Sequence, residues 1–244
     1  MHSNPQALVG KRVAVLDQGE ILCTGILGDD HTIVESARVS FLGESKGDKQ
    51  DKKLLKYLLF HQHTSPFEMV VFRFRVVAPV IVWWQWVRHR MASYNAQSGR
   101  YTPFTENSFY VPAAWRQQAQ SNKQASDGAL SPALSEEFTQ RLIARYAEGY
   151  ADYEQALAAG IAREQARLFL HGWGLYYTWI VEMNALALMH FIELRAESDA
   201  QWEIQQYAIA LRDEFFKPAL PWTAEFFEVA NTKRHEVAEM LQKM

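Results

Sequence analysis

The segment from Met69 to Arg90 constrains the fold more tightly than any other stretch of the chain. Residues 69–77, MVVFRFRVV, alternate in polarity and are rich in β-branched side chains, which predicts a strand. Pro79 ends that strand, because proline has no N–H to donate to a sheet. The apolar and aromatic residues 80–89 predict a buried helix that delivers Arg88 to a site.

The rest of the pattern predicts an α+β fold in a single domain spanning residues 1–244, with a small antiparallel or mixed sheet packed against a mainly helical C-terminal half. Further strands are predicted at 12–16 and 20–27. Helices are predicted at 32–40, 52–62, 135–159, 162–170, 174–193, 199–214 and about 222–242. Thr32 is the expected cap of the first helix, with Glu35 at the capping-box position. Residues 111–134 are polar and aperiodic, and predict an exposed loop or a frayed helix.

Composition excludes several classes of function. The net charge of −3 argues against a chain that binds nucleic acid or membranes by charge alone, so a local basic cluster favours a small anionic ligand. The chain has no run of 18 apolar residues, and residues 1–12 lack the apolar core of a signal peptide, which predicts a cytoplasmic protein. The single cysteine, Cys23, rules out an internal disulfide and a cysteine-based metal site, and its apolar surroundings predict a buried small hydrophobe rather than a nucleophile.

Basic residues cluster between Arg88 and Tyr101. Three arginines and His89 lie there among Ser, Asn and Gln side chains, with no acidic residue to offset them. The planar guanidinium carries N–H donors that match phosphate oxygens and stays charged. A solvated charge run at a helix C-terminus would explain one or two of these arginines, but not four basic groups after an aromatic block. The segment therefore predicts a phosphate site, and both a nucleotide and a flavin carry phosphates.

Other polar residues have more than one interpretation. His61 and His63 could form a His-x-His metal pair, but the segment ends a helix and no cysteine completes a ligand set, so no metal site is predicted. Arg195 could form a surface ion pair with Glu197 or Glu203, which would be worth about 0–1 kcal/mol. The residues alone favour ordinary surface or polar core positions for Arg167, Asn184 and His190.

The arrangement Arg-His-Arg, seven residues, then Ser, from Arg88 to Ser98, resembles the signature of the flavin-dependent thymidylate synthases. Three further segments are similar to that family in the same order: ARVSF at 37–41, HQHTSPFE at 61–68 and RAESDAQWEIQQY at 195–207. The resemblance implies conversion of deoxyuridylate (dUMP) to thymidylate (dTMP), with methylenetetrahydrofolate as carbon donor and NADPH as reductant through bound FAD. It also implies a homotetramer with active sites shared between subunits.

The resemblance also implies which residues bind the substrate and the cofactor. It implies that dUMP is held by Gln85, Arg88, Gln97, Ser98, Gly99, Arg100, Arg167 and Arg195. Arg195 is the implied catalytic residue, because a guanidinium against a uracil carbonyl stabilises developing negative charge. The implied FAD site consists of Ser40, His63, Ser65, Glu68, Arg88, His89, Arg90, Asn184 and His190. Four positions depart from residues found in many or some members and put individual contacts in doubt: Met69, Ala96, Leu186 and Asp199.

Two alternatives concern the basic segment. Residues 83–101 could belong to a nucleic-acid-binding module that stacks bases on aromatic rings, although the negative net charge and the lack of a second basic tract disfavour it. Ser98 could be a nucleophile, with His89 as the only nearby base in sequence. Because His89 lies between two arginines that disfavour its protonation, we expect Ser98 to bind the substrate phosphate instead.

Overall fold

The computed structural model describes residues 4–106, 108–119 and 126–242. Its strands are β1 (Arg12–Val15), β2 (Gly19–Leu27), β3 (Val71–Pro79), β4 (Ala92–Ala96), β5 (Arg116–Gln118), β6 (Ser126–Ala129) and β7 (Tyr176–Asn184). Its helices are α1 (Asp30–Arg38), α2 (Asp48–Phe60), α3 (Val80–Trp86), α4 (Pro132–Ala158), α5 (Arg163–Ala166), α6 (Ala185–Arg195), α7 (Trp202–Leu211), α8 (Lys217–Ala219) and α9 (Pro221–Gln242).

Five strands form one antiparallel sheet in the order β1-β2-β3-β7-β4, which confirms the predicted α+β class. The alternation in β3 has its expected effect, because Phe72, Phe74 and Val76 are buried in the core while Arg73 is exposed between them. Pro79 is the last residue of β3 and precedes α3 directly. The predicted sequence of strand, proline and buried helix is therefore confirmed.

Strand β7 is the main error of the sequence prediction. A single helix was expected over 174–193, but Tyr176–Asn184 is a strand between β3 and β4, and the helix begins only at Ala185. The segment is apolar and aromatic, and a short apolar run does not distinguish a central strand from a buried helix. Pairing on both edges decides the outcome, because all nine residues pair with β3 on one edge and Trp179–Met183 pair with β4 on the other.

Strand β4 divides the basic segment between Arg88 and Tyr101 into two parts. Ala92–Ala96 pairs with Met183–Trp179 at the sheet edge. At a rise of about 3.4 Å per residue its five residues span about 17 Å. The Arg88–Arg90 group and the Ser98–Arg100 group therefore lie at opposite ends of a strand.

Helix boundaries differ from the predicted ones for local reasons. The cap of α1 is Asp29 rather than Thr32: the Asp29 carboxylate accepts from the Thr32 N–H at 3.0 Å, and the Thr32 hydroxyl accepts from the Asp29 N–H. The predicted helix at 162–170 shortens to α5 with a 3₁₀ turn after it, and that at 199–214 becomes α7 followed by a π-helical turn at 212–216.

The polar stretch 111–134 is partly ordered. Strands β5 and β6 form a two-stranded hairpin within it, and α4 begins at Pro132, so a loop or frayed helix does not describe it. Residues 120–125 of that stretch lie outside the described part of the chain. Arg116 of β5 ties the hairpin to α7 through an ion pair with Glu203 at 2.5 Å.

Two apolar clusters stabilise the fold. The larger lies between the sheet and the helices α1, α2, α3, α6, α7 and α9, with Trp86, Trp179 and Phe191 among its fully buried members. The smaller joins α4 to Phe104, Phe109 and Leu175. Cys23 is buried and free, as predicted. Among the described residues, no helix is both long and apolar enough to cross a bilayer.

Asp30 caps α9 from a distance in sequence. Its carboxylate, 2% exposed, accepts from the backbone N–H groups of Trp222 and Thr223 at 2.8 and 3.1 Å and from the Thr223 hydroxyl at 2.6 Å. We predict that Asp30→Ala lowers the free energy of unfolding by about 2 kcal/mol or more, because buried donors lose their acceptor. Urea unfolding checks this against Asp152→Ala, an exposed aspartate of α4. Equal stability of the two variants would contradict the capping role.

Candidate functional site

A cavity of about 820 Å³ lies where the C-terminal end of α2, the turn after α3, the end of β7 and helix α6 meet. We call it the main cavity. Its size falls within the range of about 300–1,000 Å³ that is usual for small-molecule sites. Most of the residues expected from the resemblance to hold FAD line it, namely Glu68, Arg88, His89, Arg90, Asn184 and His190.

Part of the lining of the main cavity is apolar. Leu59 comes from α2, Met183 from β7, Met189 from α6 and Phe227 from α9. Such a surface suits a planar ring system, while the basic side chains suit phosphates. The combination favours a ligand that carries both.

Arg88 and Arg90 are exposed, and neither has an ion pair or side-chain hydrogen bond with any residue that the structure describes. Other arginines of the chain pair with carboxylates, as Arg38 does with the buried Asp51 at 2.5 Å, or donate to backbone carbonyls, as Arg163 does. The guanidinium donors of Arg88 and Arg90 are therefore available to an anion in the main cavity.

His89 is buried, 9% exposed, between the main cavity and Arg195. Its Nε2 accepts from the Arg195 Nε–H at 3.0 Å, and its backbone carbonyl accepts from the Tyr94 hydroxyl at 2.7 Å. Burial, followed by the positive charges of Arg195 and His190, lowers the pKa of His89 to about 4. His89 is thus neutral at neutral pH with its proton on Nδ1. The expected resistance to protonation is found, although burial and Arg195 produce it rather than the flanking arginines.

Two further predicted residues of the main cavity come from α6. Asn184 caps this helix, because its Oδ1 accepts from the Ala187 N–H at 2.9 Å, and both of its amide N–H groups remain for a ligand. His190 is exposed in the cavity, with its ring centroid 5.7 Å from that of His89. Burial, the largest influence, lowers the pKa of Arg195 at the end of α6.

Three predicted FAD residues do not line the main cavity. Ser40, His63 and Ser65 are exposed, while Thr64 and Glu68, from the same segment as His63 and Ser65, do line it. The His63 ring meets the edge of Tyr57, with centroids 5.8 Å apart. In the described residues, no group of three or more His, Cys, Asp or Glu side chains is arranged to hold a metal ion.

The predicted substrate-binding residues Ser98, Arg100 and Arg167 lie at the far end of β4, together with Arg163, which was not predicted. We call these four residues the distal basic face. Glu164 joins two of its arginines, because its carboxylate pairs with Arg100 at 3.3 Å and its backbone carbonyl accepts from Arg167 Nε at 3.2 Å. Arg163 donates to the Tyr101 carbonyl at 2.8 Å. Strand β4 separates Ser98 from His89, so the structure gives no support to a Ser98–His89 nucleophile and base pair.

Tight packing fixes the conformation around Ser98. A Cβ atom on the buried Gly99 would lie 2.5 Å from the Phe104 ring, so only glycine fits there. The Gln97 N–H donates to the Thr178 carbonyl at 2.8 Å, and the Tyr177 hydroxyl donates to the Gln97 carbonyl. The Gln97 side chain lines a small polar cavity of about 340 Å³ behind this turn rather than the main cavity.

A second cavity, of about 520 Å³, adjoins the main one. It is lined by Ile81, Trp84, Gln85, Arg88, Trp173 and Gln201. Arg88 lines both cavities, so a ligand in either one would lie beside this residue. Gln85 was a predicted substrate residue, and this second cavity is where the structure places it.

Comparison with known proteins gives consistent results. The family model described as thymidylate synthase complementing protein matches residues 22–222. A protein of Thermus thermophilus named flavin-dependent thymidylate synthase is 45% identical over 216 residues, which cover 88% of this chain and 78% of that protein. One of the same name from Thermotoga neapolitana is 41% identical over 216 residues, covering 88% and 94%.

The chain belongs to the flavin-dependent thymidylate synthase family. Among solved structures, that of PolB, a UMP/dUMP methylase from Streptomyces cacaoi bound with 5-Br dUMP, is similar with a TM-score of 0.80 and 28% identity, over 89% of this chain and 97% of PolB. The complex of PolB with 5-Br UMP gives a TM-score of 0.79 and 29% identity, over 89% and 96%. The resemblance inferred from the Arg88 to Ser98 motif is confirmed.

The four departures from the family pattern fall in different places. Leu186 lines the main cavity and adds to its apolar part. Ala96 is half-buried at the end of β4, opposite Trp179. Met69 and Asp199 are exposed and line neither of the two adjoining cavities. Of the four, Leu186 alone therefore alters a wall of the main cavity.

Sequence reasoning missed several residues of the site. Leu59, Thr64, Glu193 and Phe227 line the main cavity, and Gln201 lines the second. Gln62, also in the main cavity, has a left-handed backbone (φ 58°) just after α2, which no sequence pattern there predicted. Thr64 and Gln201 lay inside segments that resembled the family and could have been singled out. Leu59 and Phe227 carried no such indication.

We predict that the His89 imidazole resonance in the folded protein titrates with a midpoint near pH 4, identified by its loss in His89→Gln. A base whose pKa is lowered by folding binds protons more weakly in the native state than in the unfolded state. His89 therefore lowers the stability as the pH falls from about 6.5 to about 4, and has no such effect at higher pH. A midpoint above pH 6 would show that the burial of His89 against Arg195 does not hold in solution.

Proposed function

We propose that this family member is a methyltransferase that converts dUMP to dTMP with FAD as its cofactor, methylenetetrahydrofolate as carbon donor and NADPH as reductant. The observation that carries the proposal is the position of Arg88, which lines both the main and the second cavity. A flavin in the first and a nucleotide in the second would meet at this side chain. Membership of a flavin-dependent family supports FAD directly.

The residues of the main cavity fit FAD. Arg88 and Arg90 offer unpaired donors to its phosphates, and Leu59, Met183 and Phe227 offer an apolar surface to a ring. Bound FAD supplies hydride chemistry, so no protein thiol is needed, in keeping with the buried position of Cys23. The task of the chain is to bind and orient its ligands and to stabilise charge.

The second cavity would hold the base of the nucleotide, and the distal basic face would hold its phosphate. Gln85 and Arg88 would contact the base in the cavity, while Ser98, Arg100 and Arg167 would hold the phosphate. The two groups lie at opposite ends of β4 in one chain. We therefore propose that a neighbouring subunit brings its own distal basic face to the cavity, in a homotetramer with shared sites. PolB, a UMP/dUMP methylase, supports dUMP as the substrate.

Arg195 would act on the base through its positive charge. Its Nε is held by the neutral His89, which leaves the terminal guanidinium nitrogens for a pyrimidine carbonyl. Because His89 is uncharged, it accepts this hydrogen bond without adding a like charge beside Arg195. The guanidinium would then stabilise negative charge as it develops on the ring.

The remaining parts of the proposal rest on the family. Methylenetetrahydrofolate, NADPH and a cytoplasmic location are inferred from membership of a thymidylate synthase family. The alternative of a nucleic-acid-binding module is not supported, because the relatives are enzymes of nucleotide metabolism and Arg88 and Arg90 line a cavity of defined volume.

We predict that Arg88→Ala and Arg90→Ala each weaken FAD binding by about tenfold or more, because a hydrogen bond to a charged group contributes about 1.5–3 kcal/mol. Their stability should change by no more than about 0.5 kcal/mol, since both side chains are exposed and unpaired. A fluorescence titration with FAD measures the first effect and thermal unfolding the second. Arg145→Ala, at an exposed arginine of α4, is the control. Failure of the unmodified protein to bind FAD would refute the proposed function.

A second prediction separates the roles of Ser98 and Arg195. Ser98→Ala should weaken dUMP binding and keep measurable turnover, because the hydroxyl acts as a donor on the distal basic face. Arg195→Ala should lower turnover by about a hundredfold or more, as loss of an oxyanion donor does. Steady-state kinetics of both FAD-loaded variants decides between them. Abolished chemistry in Ser98→Ala with normal nucleotide binding, or near-normal turnover in Arg195→Ala, would reverse these roles.

A further inference from the structure

Gln201 lines the second cavity and is held there by a buried carboxylate. It lies immediately before α7, and its Nε2 donates to Glu203 Oε2 at 3.0 Å. Glu203 is 5% exposed, and its Oε1 also receives Arg116 at 2.5 Å and the Tyr110 hydroxyl at 3.3 Å. Three donors from separate parts of the chain therefore converge on one carboxylate.

Glu203 is ionised in this arrangement. Burial opposes its ionisation, but the hydrogen bonds from Arg116 and Gln201 outweigh burial and hold the pKa of Glu203 below its ordinary value. An ionised carboxylate has only acceptors. The amide of Gln201 must therefore turn its NH₂ group to Glu203, and its carbonyl oxygen is the acceptor left for a ligand in the second cavity.

The other amide in that cavity has no such constraint. Gln85 makes no side-chain hydrogen bond with any residue in the described ranges, so nothing there fixes which way its amide faces. Trp84 and Trp173 contribute aromatic surface, being 49% and 65% exposed. Such rings accept any base by stacking and do not distinguish one pyrimidine from another. The oriented amide of Gln201 is the group suited to that distinction.

We propose that Gln201, oriented by Glu203, is a specificity-determining residue that selects uracil over cytosine in the second cavity. Uracil carries an N–H at ring position 3, which is a donor to the Gln201 carbonyl oxygen. Cytosine carries a lone pair at that position, so the same oxygen would face another acceptor. A site built around one hydrogen bond rejects an analogue that leaves its groups unpaired. Gln201 is thereby a base-contacting residue and Glu203 a positioning residue; the inference rests on the proposed function.

The test is calorimetric titration of the FAD-loaded protein with dUMP and with dCMP. We expect Gln201→Ala to reduce the preference for dUMP over dCMP by about tenfold or more, as loss of one hydrogen bond to a ligand does. In steady-state kinetics with dUMP, the KM should rise more than kcat falls. Glu203→Gln should also reduce the preference, because a neutral amide donates as well as accepts and no longer fixes the Gln201 amide. Gln206→Ala, on the same helix but lining a different cavity, should keep it.

The outcomes separate this inference from the proposed function. If the unmodified protein binds FAD and prefers dUMP, but Gln201→Ala keeps that preference, the selectivity role of Gln201 is refuted and the proposed function stands. An equal loss in Gln206→Ala would also refute the role. If the unmodified protein binds FAD but not dUMP, both are refuted. Thermal unfolding of each variant identifies misfolding, and if Glu203→Gln unfolds, the comparison of Gln201→Ala with Gln206→Ala decides alone.

Discussion

Strand β7 pairs with β3 along its whole length and with β4 over Trp179–Met183, and the positions of Arg88, Asn184 and His190 in the main cavity depend on that pairing. β3 leads through α3 to Arg88. β7 ends at Asn184 and continues into α6, which carries His190 and Arg195. Because these elements belong to or continue from one sheet, the basic groups are held by regular structure rather than by a long loop, as a binding site with defined geometry requires.

The same strand marks the limit of what the sequence could predict. β3 was found because its alternation matches a half-exposed strand, whereas β7 is mostly apolar and aromatic and runs directly into the apolar start of α6, so its pattern did not distinguish strand from helix. The grouping of Arg88, His89 and Arg90 was visible because the three are contiguous. The sequence did not indicate that Leu59 and Phe227 line the same cavity. They meet only when α2 packs against α9, and no local sequence pattern predicts that contact.

A chain with a net charge of −3 leaves Arg88 and Arg90 without a carboxylate partner among the described residues, while two buried carboxylates pair with other arginines. Asp51 is committed to Arg38, and Glu203 to Arg116. Because Arg88 and Arg90 are exposed, water solvates their charges when no anion is bound, so the absence of a carboxylate partner costs little free energy. Unlike the two arginines beside it, His89 is buried. Its imidazole stays neutral, so its burial introduces no uncompensated charge into the core.

The length of β4 has a consequence for assembly. Its span of about 17 Å separates the Arg88–Arg90 group from the Ser98–Arg100 group within one chain. In the proposed function, a nucleotide that contacts both groups lies between copies, with the cavity of one and the distal basic face of another. Contacts that are exchanged reciprocally between copies close an assembly instead of extending it. The proposed sharing of sites therefore follows from the five residues that separate Met91 from Gln97 as much as from family membership.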